Sequence, residues 1–419
     1  MPASPRRVLA WPVLLLALLW GVAGCTVGPD YKRPEILTPT EWRDPNEGAD
    51  SLADLRWWQL FQDPVLQELI RTAFEENKDL RIAVARVAEA RAQLAATRAY
   101  LFPQIDAEGS YTNQRFSQKS FPVNALPGSS SIDPQQDFYR TSLDLSFELD
   151  LWGRLRRSTE AARADLLASV ENQATVLTTL IGDVAQTYFD LLELDREADV
   201  DRRTLESRRA SLDLVRRRQT AGLSSELDVL RAEGELKVAA AAVPDVERRI
   251  AQTENGLSVL LGHNPGPVRP GPLLGDQTMP PDLPTGLPSD LLERRPDIRA
   301  AEKRLTAANA RIGAAKAEFF PRISLTGSFG VESVALSDLF TGPARAWQAG
   351  PTISWPIFQG GRILSNLRLT QAREQQAVIQ YGQAVQQAFR EVNDALVFHR
   401  KTQSIRQERE QRVVAAQRR

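Results

Sequence analysis

The sequence is poor in the side chains that carry most enzyme and metal chemistry. Its 419 residues include one cysteine, two histidines and two methionines. Zinc sites and Cys/His nucleophiles need several such groups close together, so the composition disfavours both. Neither a GxGxxG motif nor a Gly-Lys-Ser/Thr phosphate loop is present. We therefore predict no catalytic residue and no metal site, and Met1 and Met279 offer no methionine path for copper.

An excess of charge of one sign is also lacking. The formal net charge is −1, although 25% of the residues are charged. Lys and Arg are interleaved with Asp and Glu along helical stretches, which is typical of solvated helix faces. This balance gives no support for a nucleic-acid partner.

The N-terminus carries a short apolar run. Arg6 and Arg7 precede a largely apolar stretch from Val8 to Trp20, and small residues follow. The run is too short for a transmembrane helix, which needs about 20 residues. It predicts a secretory signal peptide over residues 1–24.

The only cysteine comes directly after this signal. Cys25 follows Val22-Ala23-Gly24, which resembles a bacterial lipobox. Val22 stands at the first position of this motif, where Leu is usual. With no second cysteine for a disulfide, we predict that Cys25 is the lipidated mature N-terminus, carrying diacylglycerol and palmitate. Several acyl chains make a stable anchor, and Thr26 at the next position favours the outer membrane. The alternative is an incidental signal-peptide cysteine.

A tandem duplication organises the rest of the chain. The stretch Asp79–Ile105 recurs 218 residues later as Asp297–Ile323, and Gly153-Arg154 recurs as Gly361-Arg362. Each half predicts a helix, two strands and a long helix. The predicted helices of the first half are 64–100, 153–220 and 224–261, with a turn at 221–223 and a bend or local disruption near Pro244. The helix over 153–220 would be about 100 Å long and would need coiled-coil partners.

Four stretches of about ten residues alternate between apolar and polar side chains. They cover 105–112, 142–151, 323–331 and 347–357. Their length and the aromatic residues at their ends suit transmembrane strands, although a soluble sheet with one wet face is the alternative. We predict that the polar face lines an acidic lumen. The predicted lumen-facing carboxylates are Asp106, Glu108, Asp144 and Glu148.

Two strings near the N-terminus resemble a known family. They are CTVGPDYKRP at residues 25–34 and WWQLFQDP at residues 57–64. In these strings, and through both repeats, the chain resembles TolC/OprM-type outer-membrane efflux lipoproteins, the outer-membrane factors of RND tripartite systems. The resemblance implies a mainly α fold with a membrane β-barrel portion. In that fold a trimer forms a twelve-stranded barrel, continued by a periplasmic α-helical coiled-coil barrel, and strands borrowed from other copies satisfy each sheet edge.

The resemblance also implies a function. The trimer would be a passive exit duct for drugs or other small solutes, docked by a periplasmic adaptor and an inner-membrane RND-type pump. The turn of the long helical hairpin would lie at the periplasmic tip and bind the adaptor, and Asp228 would narrow the pore by charge. A solvent-exposed turn without a partner is the alternative. The implied docking residues are Gly222, Leu223, Ser224, Leu227 and Asp228.

The predicted domain order follows the repeats. A signal peptide (1–24) and a lipid-anchored extended segment (25–63) precede the first repeat (64–262). A Pro/Gly linker (263–288) leads to the second repeat (289–419), which is expected to be incomplete because the sequence ends before a copy of the first hairpin would turn. Two other functions stay open: a type I protein-secretion duct, and a lipid-anchored coiled-coil scaffold without a pore.

Overall fold

The computed structural model describes residues 26–36, 39, 42, 62–117, 135–269, 271–277 and 291–418. The predicted signal peptide, Cys25, the WWQLF string and residues 278–288 of the linker lie outside these residues. In chain order the elements are α1 (Pro64–Glu76), α2 (Lys78–Ala99), β1 (Gln104–Arg115), β2 (Gln135–Leu149), α3 (Arg154–Thr220), α4 (Glu226–Leu260), α5 (Leu291–Arg294), α6 (Pro296–Ala317), β3 (Arg322–Ser333), β4 (Arg345–Ser354) and α7 (Arg362–Gln417).

The first predicted helix is divided in two at Asn77. The Asn77 Oδ1 accepts the Leu80 N–H at 2.8 Å and so caps α2, while its Nδ2 donates to the Leu260 carbonyl at 2.8 Å. The Asn77 backbone is extended, with ψ at 131°. A single helix over 64–100 was therefore wrong, because a side-chain cap at this position competes with helical hydrogen bonding.

The strands form one antiparallel sheet in the order β1-β2-β3-β4. Each repeat contributes one hairpin, and β2 pairs with β3 to join the two repeats. The predicted alternation is confirmed by this register. The sequence-predicted second strand runs too far, however: β2 ends at Leu149 because Asp150 accepts the Leu155 and Arg156 N–H groups at the start of α3.

The fourth predicted strand also runs too far. It was expected to reach Ile357, but β4 ends at Ser354. Pro356 lies just beyond this end and has no N–H group with which to continue a ladder of hydrogen bonds. Trp355 and Ile357 therefore leave the sheet and lie exposed in the connection to α7.

The long helices are as predicted in their main features. Helix α3 has 67 residues, a contour length of about 100 Å. Helix α4 is continuous through Pro244, so there is no local disruption there, and a bend at Pro244 stays a prediction. None of the described helices meets both requirements, length and apolar character, for crossing a membrane. Helices α3 and α4 are joined by ion pairs on their exposed faces, which contribute little each: Arg202–Glu247, Arg208–Glu235 and Arg216–Glu233.

The described residues divide into two compact units, and both units draw on both repeats. One unit comprises residues 26–35, Glu89–Ala168 and Ala301–Gly382, and it contains the sheet. The other comprises the described residues among Ile36–Ala88, Ser169–Ala300 and Gln383–Arg419. Its core is formed by α1, the start of α2, the middle of α3 and the end of α4. Leu66, Val184 and Leu257 are fully buried there, each contributing about 1.5–3 kcal/mol.

Candidate functional site

The register sorts the sheet into a polar and an apolar face. Residues directly opposite each other in an antiparallel sheet lie on the same face. Asp106 pairs with Asp144, and Asp144 pairs with Ser328. Glu108 and Glu148 lie an even number of residues from these two along their own strands, and so on the same side. All four predicted lumen-facing carboxylates therefore share one face of the sheet.

The opposite face is apolar and lies open. Leu143, Phe329 and Trp347 form one row across three strands, and each is more than half exposed. Ile105 and Leu145 form a neighbouring row on the same side. A continuous apolar surface of this kind needs lipid or protein to cover it.

Two arginines neutralise part of the acidic face, and the sequence analysis missed both. The Arg154 guanidinium binds Glu148 through two hydrogen bonds of 3.0 and 2.7 Å. The Arg140 Nη2 lies 3.9 Å from the Asp144 carboxylate. Among the described residues, Asp106 and Glu108 are left without an ion pair. The face is thus less acidic than the four carboxylates alone indicate.

Aromatic side chains tie the two repeats together where the sheet meets the helices. Trp152 stacks on Phe320 with ring centroids 4.6 Å apart. Its indole N–H donates to the Pro321 carbonyl at 2.8 Å, and the Trp355 indole donates to the Phe319 carbonyl at 3.2 Å. The predicted collection of aromatic residues at the strand ends is present here. Such rings favour a membrane–water interface, because they are apolar with one polar group.

The segment Thr26–Arg33, which we call the strap, packs closely on α6. An ideal Cβ built on Gly28 would lie 2.4 Å from the Gly313 Cα, and one on Gly313 would lie 2.8 Å from the Val27 carbonyl oxygen. Gly28 also has φ at +120°, a conformation that L side chains rarely adopt. Two glycines therefore let two stretches of backbone touch. The Val27 N–H donates to the Trp152 carbonyl at 3.0 Å and ties the strap to the end of the sheet.

Polar side chains fasten the strap along its length. Arg33 donates two hydrogen bonds to the buried Glu302 carboxylate, at 2.8 and 2.7 Å, and the Tyr31 hydroxyl adds a third at 3.1 Å. Burial alone would raise the pKa of Glu302, but the hydrogen bonds and charge of Arg33 outweigh it and hold that pKa below its usual value. The remaining contacts are Asn309 Nδ2 to the Pro29 carbonyl at 3.1 Å and Arg157 to Asp30 at 2.8 Å.

The strap begins one residue after Cys25. Cys25 itself lies outside the described residues, so its lipidation stays a prediction. In the sequence, residues 26–34 stand out only as a family string, and their contacts with α6 do not follow from it. Gly28-Pro29 was the available local signal, and a Gly-Pro pair indicates only a turn or loop.

The helical tip is a well-formed turn. Gly222 has φ at +76°, and the N–H groups of Gly222 and Leu223 bond to the carbonyls of Gln219 and Arg218. This pattern is a Schellman motif, so the predicted left-handed glycine is confirmed. Around Gly222 an added Cβ would meet no atom within 4 Å. Leu223 and Leu227 are both more than half exposed.

Asp228 has a local structural role that the sequence analysis missed. Its carboxylate accepts the Ser225 N–H at 2.9 Å, and the Ser225 Oγ accepts the Asp228 N–H at 3.2 Å. These reciprocal bonds are a capping box at the start of α4. They lower the Asp228 pKa, chiefly through the backbone hydrogen bond from Ser225. The carboxylate is therefore held in its charged form and points back to its own helix.

A buried carboxylate fixes the start of α1. Asp63 accepts hydrogen bonds from the Tyr188 hydroxyl at 2.6 Å and from Gln277 Nε2 at 2.8 Å. Gly271 approaches the Tyr188 hydroxyl so closely that a Cβ there would lie 1.8 Å from it. Burial, followed by the bond to Asp63, raises the Tyr188 pKa. This cluster fixes the described part of the linker against the core.

Metal-binding geometry is missing from the described part of the chain. No group of three or more His, Cys, Asp or Glu side chains there is arranged to hold an ion. His263 lies just beyond α4, and His399 lies on α7. The features that stand out among the described residues are a two-faced sheet, an N-terminal strap packed on α6 and a long helical hairpin.

Comparison with known proteins identifies the family. The family described as "Outer membrane efflux protein" matches residues 69–263 and 287–419. The chain belongs to this family. The cation efflux system protein CusC of Escherichia coli O6:H1 is 36% identical over 397 residues, covering 94% of this chain and 83% of CusC. The toluene efflux pump outer membrane protein TtgF of Pseudomonas putida is 38% identical over 396 residues, covering 91% and 80%.

Solved structures agree with this assignment. The open-state MtrE outer membrane channel of Neisseria gonorrhoeae is 34% identical and superposes with a TM-score of 0.78, covering 91% of this chain and 83% of MtrE. The predicted family, fold class, outer-membrane localisation and function are thereby confirmed: the chain is the outer-membrane channel component of an efflux system. The family is one of efflux channels and not of enzymes. The pore-free scaffold and the protein-secretion duct have no such support.

Proposed function

We propose that three copies of this chain form the exit duct of a tripartite system, docked by a periplasmic adaptor and fed by an inner-membrane RND-type pump. The sheet is the observation that carries this proposal. In the described part of the chain, its outer strands β1 and β4 are each paired on one side only, and each unpaired backbone group costs several kcal/mol in lipid. Pairing β4 of one copy with β1 of the next satisfies both edges, and three copies give enough strands for a water-filled lumen.

The polar face would line this lumen, and the apolar face would meet lipid. Asp106 and Glu108 then supply most of the negative potential, because Arg140 and Arg154 offset Asp144 and Glu148. The duct is expected to favour cations modestly.

The cargo is proposed to be small solutes whose identity is chosen elsewhere in the system. The chain is similarly close to a cation efflux protein, at 36% identity, and to a toluene efflux protein, at 38%. These two cargoes share no chemistry that one pore lining would select. A passive duct that accepts whatever the pump delivers is consistent with both similarities.

Cys25 is proposed to carry the lipid anchor. The strap starts at the next residue and ends its contacts at α6, so an acyl group on Cys25 would be held close to the aromatic end of the sheet. Mass spectrometry of the N-terminal peptide should find a diacylglycerol-modified, N-acylated cysteine. Cys25→Ser should leave an uncleaved precursor, and an unmodified Cys25 would contradict this part of the proposal.

The helical tip is proposed as the adaptor-docking site. Gly222 and the half-buried Ser224 allow close approach of a second helical hairpin, and Leu223 and Leu227 offer apolar contact. Because Asp228 is engaged in the capping box, its role is first to shape the tip and only second to narrow the pore by charge.

The test is efflux in cells that supply the pump and adaptor. Gly222→Glu places a charged side chain at the turn and should abolish resistance to exported compounds without lowering the amount of trimer in the outer membrane. Gly222→Asn is the matched control, because Asn tolerates the left-handed backbone, and it should retain efflux. Persistent resistance with Gly222→Glu would overturn the docking role. A wild-type protein that is monomeric and non-conducting in bilayers would overturn the duct itself.

A further inference from the structure

The connection between β3 and β4 is a structured loop, Val334–Ala344, at the end of the sheet away from the helices. We call it the outer loop. It contains two short 3₁₀ turns, Leu336–Asp338 and Gly342–Ala344. The Thr341 hydroxyl and N–H both donate to the Asp338 carbonyl, at 2.7 and 3.1 Å. Leu339 is only 6% exposed. The loop therefore has internal hydrogen bonds and a buried anchor of its own.

The outer loop bends towards the polar face of the sheet. A cavity at its base is lined by Phe138 and Glu332 together with the loop residues Val334, Asp338 and Thr341. Phe138 and Glu332 lie on the polar face, because Arg140 pairs with Glu332 and Phe138 is two residues from Arg140. The loop thus overhangs the side of the sheet that carries the carboxylates.

Two large apolar side chains of this loop lie uncovered. Leu336 is 61% exposed and Phe340 is 80% exposed. The exposed Phe329 and Trp347 belong to the face of the sheet opposite the cavity that this loop lines. Apolar groups that overhang a polar, water-filled face are best covered by the same groups from neighbouring copies.

We propose that three copies bring Leu336 and Phe340 together over the outer mouth of the duct, where they form an apolar constriction. This inference rests on the proposed trimer. A ring of apolar side chains hinders water and ions because a narrow apolar passage is easily dewetted. The constriction would make the outer mouth, and not only the periplasmic tip, a point that limits leakage through an idle duct.

Thiol cross-linking tests the position of the loop. Three copies of one residue can be bridged by a short homobifunctional thiol reagent only when they lie near the threefold axis. Phe340→Cys should yield cross-linked subunits within the trimer. Trp347→Cys is the matched control, since it is equally exposed in the single chain but lies on the lipid-facing side, and it should stay uncross-linked. The unsubstituted protein should also stay uncross-linked.

Conductance tests the constriction. In planar bilayers the double variant Leu336→Ala/Phe340→Ala should raise single-channel conductance by about twofold or more, whereas Trp347→Phe should leave it unchanged. A conducting trimer with no Phe340→Cys cross-link and no conductance change in the double variant would overturn the constriction and leave the duct intact. Absence of both trimer and conductance in the unsubstituted protein would instead overturn the duct.

Discussion

Helices α2 and α6 occupy the same place in the two repeats, and both have 22 residues, yet their surfaces differ. In α6 most residues from Ile298 to Ala317 are buried, whereas in α2 only Leu80, Ala83 and Val87 are. One reason is the strap, which contacts Glu302, Asn309 and Gly313 on α6. A duplicated helix can therefore keep its length and ends while its two copies acquire different partners.

The residues that hold the strap are specific to the second repeat. Glu302, Asn309 and Gly313 contact the strap directly, and the residues 218 positions earlier are Val84, Arg91 and Ala95. These three first-repeat positions lack a carboxylate, an amide and a glycine, so α2 has no means of binding a second strap. In α2 the position equivalent to Glu302 is instead occupied by the half-exposed Val84.

The largest expected loss of stability comes from adding a side chain at Gly313, where α6 touches the strap. Gly313→Val places a branched side chain where a Cβ would already lie 2.8 Å from the Val27 carbonyl oxygen. We expect a loss of about 3 kcal/mol of stability, because overpacking of this kind forces backbone apart. Thermal unfolding and protease cleavage within the strap would measure it. Ala95→Val is the control at the equivalent position of α2, and an equal loss in both variants would refute the difference between the helices.

A smaller loss of stability is expected when the buried carboxylate of Glu302 is replaced. Glu302→Gln removes the charge that Arg33 and Tyr31 bind, and should cost about 1–2 kcal/mol, since Arg33 is partly exposed. The folded-state pKa of Glu302 is lowered, so its contribution is present above the unfolded pKa of about 4.3 and is lost as pH falls through the folded value. In Glu302→Gln, unfolding midpoints measured from pH 7 to pH 3 should no longer show this loss of stability with falling pH. Glu89→Gln, on exposed α2, should behave as wild type.

Contacts between residues that are close in the sequence could be predicted from it, whereas contacts between distant residues could not. Period-two alternation placed the strands and both faces, because the pleat alone decides which side chains share a face. The tip followed from Gly222, whose left-handed conformation is a local requirement. The strap did not follow, since Arg33 and Glu302 are 269 residues apart and no local pattern links them. The break at Asn77 depends in part on the distant Leu260 carbonyl, whereas Arg140 and Asp144 are four residues apart on one strand, so the alternation alone already places them on the same face.

The uncovered side of α2 gives a third and weaker prediction. Val84 is 50% exposed, so Val84→Glu should change the stability of an isolated subunit by less than about 0.5 kcal/mol. If α2 packs against another copy, the same change buries a charge and should lower the trimer fraction at equal protein concentration. Native mass measurement in detergent reports this fraction. Arg86→Glu, also exposed on α2, controls for added negative charge, and equal trimer loss in both variants would contradict a contact specific to Val84.

The smallest expected effect is on ion selectivity and concerns the sheet, where the two repeats carry different side chains. Asp106 and Glu108 on β1 correspond by the 218-residue offset to Ser324 and Thr326 on β3, so these carboxylates are confined to the first hairpin. Because Asp106 and Glu108 have no ion pair among the described residues, the double variant Asp106→Asn/Glu108→Gln should reduce cation over anion permeability by about twofold.

The paired carboxylates of the same hairpin sharpen this test. Arg140→Gln/Asp144→Asn/Glu148→Gln/Arg154→Gln, which removes each acid together with its arginine, should change the reversal potential less, because the net charge of the face then stays the same. Reversal potentials under a salt gradient distinguish the two variants, and they should diverge further at low ionic strength, where screening is weakest. A larger effect from the paired set would mean that the arginines do not offset Asp144 and Glu148 within the lumen, and that the four carboxylates act there as the sequence alone predicts.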